Sequence, residues 1–173
     1  DSIKKYTKNI KDVRALGFCV SKIHAEFMSK YFNKVGIPSI YLTSDSSNEE
    51  RDSAKNKLNK KEVNFIFVVD LYNEGVDIPA IDTVLFLRPT ESITVFLQQL
   101  GRGLRLYEGK DCLTVLDYVG QANKSYNIYE QKFRAIIGNT SNSIEKEIEN
   151  EFPNLPKGCF IQLEKVAKDY ILQ

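Results

Sequence analysis

The sequence predicts an α/β fold in which helices cover both faces of a central parallel sheet. Short continuous apolar runs such as Val63–Val69 (VNFIFVV) are typical of parallel strands that are buried on both sides. Helical segments separate these runs, and this alternation favours parallel pairing through right-handed connections. The 173 residues, of which 42% are hydrophobic and 27% charged, are enough to form a globular core without disulfides or metals.

The first part of the chain contains two strands, each followed by a helix. In order, the predicted elements are strand Arg14–Val20, helix Lys22–Val35, strand Ser39–Leu42 and helix Asn48–Leu58. The first helix has apolar residues at helical spacing, and Gly36 is suited to cap its C-terminus. The second helix is polar, with acids in its first turn, and we expect its cap at Ser46, Ser47 or Asn48.

The rest of the chain continues the alternation and then changes in composition. The further predicted elements are strands Val63–Val69, Thr83–Leu87 and Cys112–Tyr118 and helices Ser92–Leu104 and Tyr126–Ile137. After residue 138, Gly138–Ser143 resembles a linker, and the turn-rich Pro153–Gly158 separates two last helices, Ile144–Phe152 and Phe160–Leu172. We therefore predict a main domain over residues 1–138 and a short helical extension over residues 139–173.

Charge and cysteine content narrow the class of protein. A net charge of +1 argues against a polybasic protein but leaves room for a local nucleic-acid surface. The three cysteines have no zinc-binding spacing, and their odd number favours a reducing cytoplasm. We find no signal-peptide segment and no membrane-length apolar run. The initial Asp leads us to expect a fragment of a longer protein, and processing is the alternative explanation.

Two segments that are predicted to follow strands contain the charged residues and glycines best suited to bind a ligand. The loop after the strand that ends at Val69 places three carboxylates and a glycine within Asp70–Pro79. The segment Gln98–Arg105 carries Arg102 and Arg105, which share one face of a helix, beside two glycines that are unfavourable in a helix interior. In parallel sheets, ligands bind at the carboxyl ends of the strands. Turn-forming acids and solvated surface arginines are the alternative interpretation.

Three segments together resemble a known family. QQLGRGLR resembles motif VI of superfamily two helicases, VVDLYNEGVDIP resembles their motif V, and GFCVSKIHAEFMSKYF resembles their motif IV. Over residues 12–120 the chain resembles the second RecA-like domain, or helicase C-terminal domain, of bacterial DNA translocases. That group includes the translocating subunits of type III and type I restriction enzymes and the excision-repair protein UvrB. The resemblance implies a three-layer RecA-like domain with a short C-terminal helical extension.

The resemblance also implies roles for residues of motifs V and VI. Arg102 and Arg105 match the arginine fingers that stabilise charge on the γ-phosphate of ATP, and Gln98 matches the residue that couples the phosphate to the facing domain. The residues that match nucleotide-approaching positions are Gly75, Asp77 and Gly101. Asp70 matches an acid with a structural role or a link to the arginines.

A nucleic-acid track is implied along the ends of the first two strands and the helix that follows. The residues expected to contact phosphates without reading sequence are Ser21, Lys22, Thr43, Ser44 and Arg51. Caps and solvated faces are the alternative interpretation for each of them. Val69 and Glu74 replace a Thr and an Arg of the RNA-binding pattern, which favours duplex DNA. For His24, the single histidine, we expect a packing or hydrogen-bonding role.

The chain lacks the motifs that the first RecA-like domain of such helicases carries. It contains no GxxxxGK[ST] phosphate loop and no DExx motif, so ATP with Mg²⁺ is expected to bind mainly to an N-terminal RecA-like domain of the same polypeptide. We predict an ATP-dependent helicase or translocase whose fragment is inactive alone. The alternative is a non-catalytic DNA- or protein-binding module with a degenerate helicase fold. A stand-alone nucleotide-binding domain is disfavoured because no glycine-rich loop joins a strand to a helix.

Overall fold

The structure is a computed structural model that describes residues 2–7, 9–69, 78–88, 108, 110–118, 126–138, 140–157 and 159–172. The chain divides into two compact units. The sheet unit comprises Asp1–Pro89 with Gln98–Tyr118, and the C-terminal unit comprises Thr90–Leu97 with Val119–Gln173. The domain boundary predicted at residue 138 stays a prediction.

Five parallel strands form the sheet of the first unit. They are β1 (Ala15–Phe18), β2 (Ser39–Leu42), β3 (Phe65–Val68), β4 (Thr83–Phe86) and β5 (Thr114–Asp117). Their spatial order is β2-β3-β1-β4-β5, and every neighbouring pair is parallel. All five correspond to predicted strands and are shorter than or equal to the predicted runs. The carboxyl ends of β1, β2 and β3 consequently meet at one edge of the sheet.

Three described helices belong to the sheet unit: α1 (Ser2–Tyr6), α2 (Lys22–Lys34) and α3 (Asn48–Asn59). The end of α2 is fixed by Gly36, whose positive φ of 80° is unfavourable for other residues. There the N–H of Gly36 donates to the Asn33 carbonyl (3.0 Å) and the N–H of Ile37 donates to the Phe32 carbonyl (2.9 Å). This pair of bonds is a Schellman motif, so the predicted glycine cap is confirmed.

Both faces of the sheet are buried, as the apolar runs predict. Every residue of β1, β3 and β4 is buried. On the α2 face, Phe32 meets the rings of Phe65 and Phe67 edge-on at 4.9 and 5.0 Å between centroids. Because side chains alternate along a strand, Phe18 points to the opposite face. There its ring stacks on Phe86, 5.6 Å away.

The buried face of α2 is not the face that carries most of its large apolar residues. Three of its apolar residues and its C-cap residue Val35 are more than half exposed: Ile23 (80%), Phe27 (61%), Tyr31 (52%) and Val35 (52%). The buried side of the helix instead consists of Ala25, Ser29 and Phe32. Small side chains let the helix lie close to the sheet. Hydropathy alone ranks the larger exposed residues as more core-like than alanine or serine.

A polar staple holds the C-terminal half of α2 to the edge strand β2. The Asn33 side chain donates to the Ser39 carbonyl (2.8 Å) and accepts from the Ser39 N–H (3.0 Å). The hydroxyls of Ser29 and Ser39 each donate to the other residue's carbonyl, at 3.2 and 2.9 Å. These contacts satisfy backbone groups of an edge strand, which would otherwise be open to pairing with another chain.

The C-terminal unit contains the helices α4 (Tyr126–Ile137), α5 (Ile144–Glu149) and α6 (Lys165–Ile171). Its core is made by Phe133, Ile137, Ile144, Ile148, Phe152 and Ile171. The predicted helix Phe160–Leu172 is too long, since α6 begins at Lys165. Before it, Ile161 and Leu163 pack against the core while Gln162 is exposed. This period of two is typical of extended chain and not of a helix.

A buried carboxylate organises the loops of the C-terminal unit. Oε1 of the fully buried Glu147 accepts hydrogen bonds from the side-chain amides of Asn142 (2.8 Å) and Asn154 (2.6 Å). Burial raises the pKa of Glu147, but the hydrogen bonds from Asn142, Asn154 and Thr140 outweigh it, and the pKa lies below its ordinary value. The charged side chain of Glu147 therefore holds the loop before α5 and the loop after it against the same helix.

We predict that Gly17→Ala destabilises the sheet unit by about 1–3 kcal/mol, the usual cost of overpacking a core. A Cβ at Gly17 would lie 2.6 Å from Cδ1 of Phe67, whose ring is fully buried. Urea denaturation measures the change in free energy of unfolding. Adding Phe67→Leu should recover part of the loss through a favourable coupling between the two substitutions. A Gly17→Ala variant as stable as the parent would contradict this packing.

We predict that Glu147→Gln destabilises the protein at neutral pH. In this variant the free energy of unfolding should also fall less steeply as the pH is lowered. Because the folded pKa of Glu147 is lowered, its contribution is complete above the unfolded pKa and is lost as pH falls through the folded pKa. Urea unfolding over an acid pH series gives the slope of stability against pH. Glu149→Gln, at an exposed position of the same helix, is the matched control. Equal slopes in the two variants would count against this role.

Candidate nucleic-acid interface

Two helices begin at the edge where the parallel strands end. We call this region the carboxyl edge and define it as residues 19–24 after β1 and residues 43–51 after β2. The parallel register of β1 and β2 with β3 brings both segments to the same side of the sheet. The N-termini of α2 and α3 both start there, and the backbone N–H groups of a helix N-terminus favour anions.

The start of α2 is capped by Ser21 and His24 together. The Ser21 hydroxyl accepts from the His24 N–H (3.2 Å), and Nδ1 of His24 accepts from the Val20 N–H (3.3 Å). His24 stands at the third helical position, which glutamate holds in a capping box, but its ring accepts from the N–H of Val20 and not from that of the cap residue. The predicted hydrogen-bonding role of His24 is confirmed.

The start of α3 is fixed by a complete capping box. The Ser47 N–H donates to Oε2 of Glu50 (2.7 Å), and the Glu50 N–H donates to the Ser47 hydroxyl (3.2 Å). Ser47 is therefore the cap among the three candidates. Before it, the Thr43 N–H donates to the Ser46 hydroxyl (3.1 Å) and the Asp45 N–H donates to the Thr43 hydroxyl (3.3 Å). These bonds hold the loop in one conformation.

An ion pair joins the two segments of the carboxyl edge. Nζ of Lys22, at the start of α2, bonds a carboxylate oxygen of Asp45, in the loop before α3. The Lys22 hydrogen bond and charge hold the pKa of Asp45 below its ordinary value. The Ser44 hydroxyl also donates to Asp45 (3.3 Å), and the Arg51 guanidinium donates to the Ser44 carbonyl (3.3 Å). Lys22, Arg51, several hydroxyls and the Asp45 carboxylate thus lie close together at this edge.

Five of the predicted site residues come together at this edge: Ser21, Lys22, Thr43, Ser44 and Arg51. Ser21, Lys22 and Ser44 are exposed, whereas Thr43 is buried and its hydroxyl serves the loop. The other predicted site residues lie outside the described residues: Gln98, Arg102, Arg105, Gly75, Asp77 and Gly101. Asp70 and Glu74 lie outside them as well.

Sequence reasoning missed Asp45. Its partner Lys22 lies 23 positions earlier in the chain, and nothing in local spacing connects the two. The available signal was an acid placed between a buried strand and a capped helix, in a segment that we expected to bind phosphate. A carboxylate in such a segment repels a phosphate, and an acid at this position therefore calls for an explanation.

The described parts of the chain hold no group of three His, Cys, Asp or Glu side chains placed to bind a metal ion. Among the same residues, no helix combines the length and the apolar character that crossing a membrane requires.

Comparison with known proteins places the chain in a family. Residues 1–107 match the helicase conserved C-terminal domain. The Saccharomyces cerevisiae protein named "Putative ATP-dependent helicase IRC3" is 36% identical over 120 residues, which are 69% of this chain and 17% of that protein. UvrABC system protein B of Helicobacter hepaticus is 26% identical over 169 residues, which are 91% of this chain and 26% of that protein. The chain thus spans about a quarter or less of either relative.

Solved structures share the fold at low sequence identity. The Escherichia coli DEAD-box protein SrmB, bound to regulator of ribonuclease activity A, has a TM-score of 0.62 and 19% identity, with 90% of this chain and 85% of that chain covered. The C-terminal domain of the DEAD-box protein Dbp5 has a TM-score of 0.62 and 15% identity, with 81% and 77% covered. The predicted three-layer RecA-like fold is confirmed. The chain belongs to the helicase conserved C-terminal domain family of superfamily two and resembles UvrB.

Proposed function

We propose that this chain is the C-terminal motor domain of an ATP-dependent DNA helicase or translocase. The observation that carries the proposal is the carboxyl edge, which lies within the segment matched by the helicase domain. There Lys22 and Arg51 stand beside the N-termini of two helices, where a phosphate meets cations, hydroxyls and backbone donors. Such contacts position a nucleic-acid backbone and read no sequence.

In this proposal, Arg102 and Arg105 are arginine fingers. Together with Gln98 they act on ATP held at the cleft between two RecA-like domains, where they stabilise charge that develops on the γ-phosphate. Gly75, Asp77 and Gly101 approach the nucleotide. Support comes from the motif pattern of the sequence and from the family match, which covers all six residues.

The nucleotide and its Mg²⁺ are held mainly by another domain in our proposal. The described residues gather no set of ligands that fits a metal ion, and the whole sequence has no phosphate loop. An N-terminal RecA-like domain of the same polypeptide would supply both. We therefore propose that this chain hydrolyses no ATP alone. As the cleft between the two domains closes and opens, the domains would bind and release DNA in turn.

Duplex DNA is the proposed substrate in preference to RNA. Val69 stands where RNA-binding relatives carry a threonine that contacts nucleic acid, and it is buried in the core on the α2 face. An apolar buried side chain offers a phosphate no hydrogen bond. The EGVDIP form of motif V, with Glu74 in place of an arginine, points the same way.

The second candidate function is a non-catalytic binding module with a degenerate helicase fold. The carboxylate of Asp45 on the candidate edge is the observation in its favour, because it weakens a phosphate site. Upstream sequence separates the two candidates. A phosphate loop and a DExx motif within roughly 200–250 residues, the length of one more domain with its linker, are expected for the motor. Their absence would exclude the motor.

A reducing cytoplasm is the proposed compartment. All three cysteines are free thiols, with Cys19 buried and Cys112 and Cys159 exposed. Burial raises the pKa of Cys19 to about 12, against a smaller opposing effect of Arg88, so this thiol stays protonated and unreactive. Unpaired thiols at the surface are typical of proteins that function where disulfides are kept reduced.

We predict that Arg102→Ala or Arg105→Ala lowers DNA-stimulated ATP hydrolysis by the full-length protein about 10³-fold or more, as expected for an arginine finger. ATP binding should change much less, because the phosphate loop lies in the other domain. Steady-state ATPase rates and binding of a fluorescent ATP analogue measure the two effects separately.

Arg134→Ala is the matched control for these variants. Arg134 is a partly exposed arginine on α4 that pairs with Glu130 (3.0 Å), and it lies outside the segments that resemble helicase motifs. Its turnover should equal that of the parent. Unchanged turnover in both Arg102→Ala and Arg105→Ala would refute the finger assignment.

We predict that Lys22→Gln weakens binding of the full-length protein to DNA by a similar factor for all sequences. The loss of the Lys22 contact should reduce the slope of log affinity against log salt by at most about 0.9 for a duplex and about 0.7 for a single strand. Fluorescence anisotropy over a series of salt concentrations measures both quantities.

Lys30→Gln is the matched control for Lys22→Gln. Both lysines lie on α2 and both pair with a carboxylate, but Lys30 pairs with Glu26 on its own helix, away from the carboxyl edge. Its affinity and salt slope should match those of the parent. Equal effects of the two variants would show that general charge, not the edge, attracts DNA.

A further inference from the structure

Among the described residues, Asp45 provides the carboxylate that pairs with Lys22 at the carboxyl edge. Its side chain is 73% exposed and pairs with Nζ of Lys22, which is 52% exposed. Glu50 lies nearby along the chain, but its carboxylate is used in the capping box with Ser47. The stability of the α3 cap therefore gives no reason for the carboxylate at Asp45.

The position of the pair along the chain is unusual for a surface ion pair. Lys30 and Glu26 are four residues apart on one helix, where such pairs add a few tenths of a kcal/mol to helix stability. Lys22 and Asp45 are 23 residues apart and connect the two loops of the edge. Exposed pairs of this kind contribute little to the stability of a fold. Their effect on an incoming anion is direct.

We propose that Asp45 is a built-in competitor for the nucleic-acid phosphate that Lys22 binds. With the edge empty, the Asp45 carboxylate occupies the Lys22 ammonium. An arriving phosphodiester must displace it, and the carboxylate then returns to water. This inference rests on the proposed function of the edge and adds a residue that sets its affinity and its rate of release.

The pair has two consequences for binding. First, the free energy gained from a phosphate on Lys22 is reduced by the free energy of the pair that it replaces. Second, a cation is taken up by the liberated Asp45 carboxylate while a counterion leaves the phosphate. The net release of salt ions is therefore smaller than for a lysine without a carboxylate partner. The affinity and its dependence on salt are both lowered.

The test uses Asp45→Asn in the full-length protein with labelled duplex and single-stranded DNA. We expect about two- to five-fold tighter binding at low salt, which corresponds to the measured range for exposed ion pairs. The slope of log affinity against log salt should steepen toward one additional phosphate contact. The dissociation rate, measured by stopped-flow competition with unlabelled DNA, should fall by a similar factor.

Two further variants make the result specific. Glu26→Gln changes the net charge equally and frees Lys30 on the same helix, and it should leave binding as in the parent. In a Lys22→Gln background, Asp45→Asn should add no more than Glu26→Gln does. An equal gain in both backgrounds would overturn the proposal, because the effect would then be general repulsion of DNA.

Other outcomes separate this inference from the proposed function. If Asp45→Asn weakens binding as Lys22→Gln does, Asp45 positions Lys22 for the phosphate, and the competitor role is wrong while the edge stands. If Lys22→Gln leaves both affinity and salt slope unchanged, the edge itself binds no phosphate, and both proposals fall. Equal circular dichroism spectra and thermal midpoints ensure that each variant is folded.

Discussion

The contact between the Phe67 ring and the backbone at Gly17 decides where the central elements of the sheet unit lie. Phe67 in β3 lies so close to β1 that no side chain fits at Gly17. The same ring meets Phe32 edge-on, and Phe32 is the large buried residue of α2. The distance from β1 through the Phe67 ring to α2 is therefore set by one aromatic layer. The start of α2, with Ser21 and Lys22, follows from that placement.

The two ends of α2 are held by different means, and the combination gives the carboxyl edge its geometry. At the C-terminal end, Gly36 stops the helix and Asn33 bonds both backbone groups of Ser39. At the N-terminal end, the Ser21 hydroxyl accepts from the His24 N–H, and the His24 ring accepts from the Val20 N–H before the helix. Each cap of this type is worth about 1 kcal/mol. A helix fixed at both ends cannot slide along the sheet, so Lys22 stays within reach of Asp45.

The strands and the caps could be predicted from sequence because local chemistry dictates them. Continuous apolar runs identify β1, β3 and β4, and Gly36 marks a helix end because few other residues adopt a positive φ. The buried side of α2 could not be predicted, because it depends on how closely the helix approaches the sheet. Ala25 and Ser29 permit that approach, and Phe27 is left exposed.

The candidate site also has one part that could be predicted from sequence and another that could not. That Ser21, Lys22, Ser44 and Arg51 share one edge follows from parallel strands, whose ends meet on one side of a sheet. The pairing of Lys22 with Asp45 does not follow, because it depends on a contact between the start of α2 and the loop before α3. Motifs V and VI, with Arg102 and Arg105, are predicted on sequence pattern alone and stay predictions.

The chain has 24 basic and 23 acidic residues, and this near balance of charge fits a domain that releases DNA repeatedly. In the proposed translocase, each grip is broken once per step, and every phosphate contact broken adds to the barrier for release. A strongly basic surface would bind DNA tightly and step slowly. A lysine whose carboxylate partner is already in place loses less on release, because the Lys22–Asp45 pair re-forms as the phosphate leaves. The carboxylate thus lowers the affinity of the bound state and the barrier to leaving it together. An edge meant only to hold DNA would gain nothing from that carboxylate.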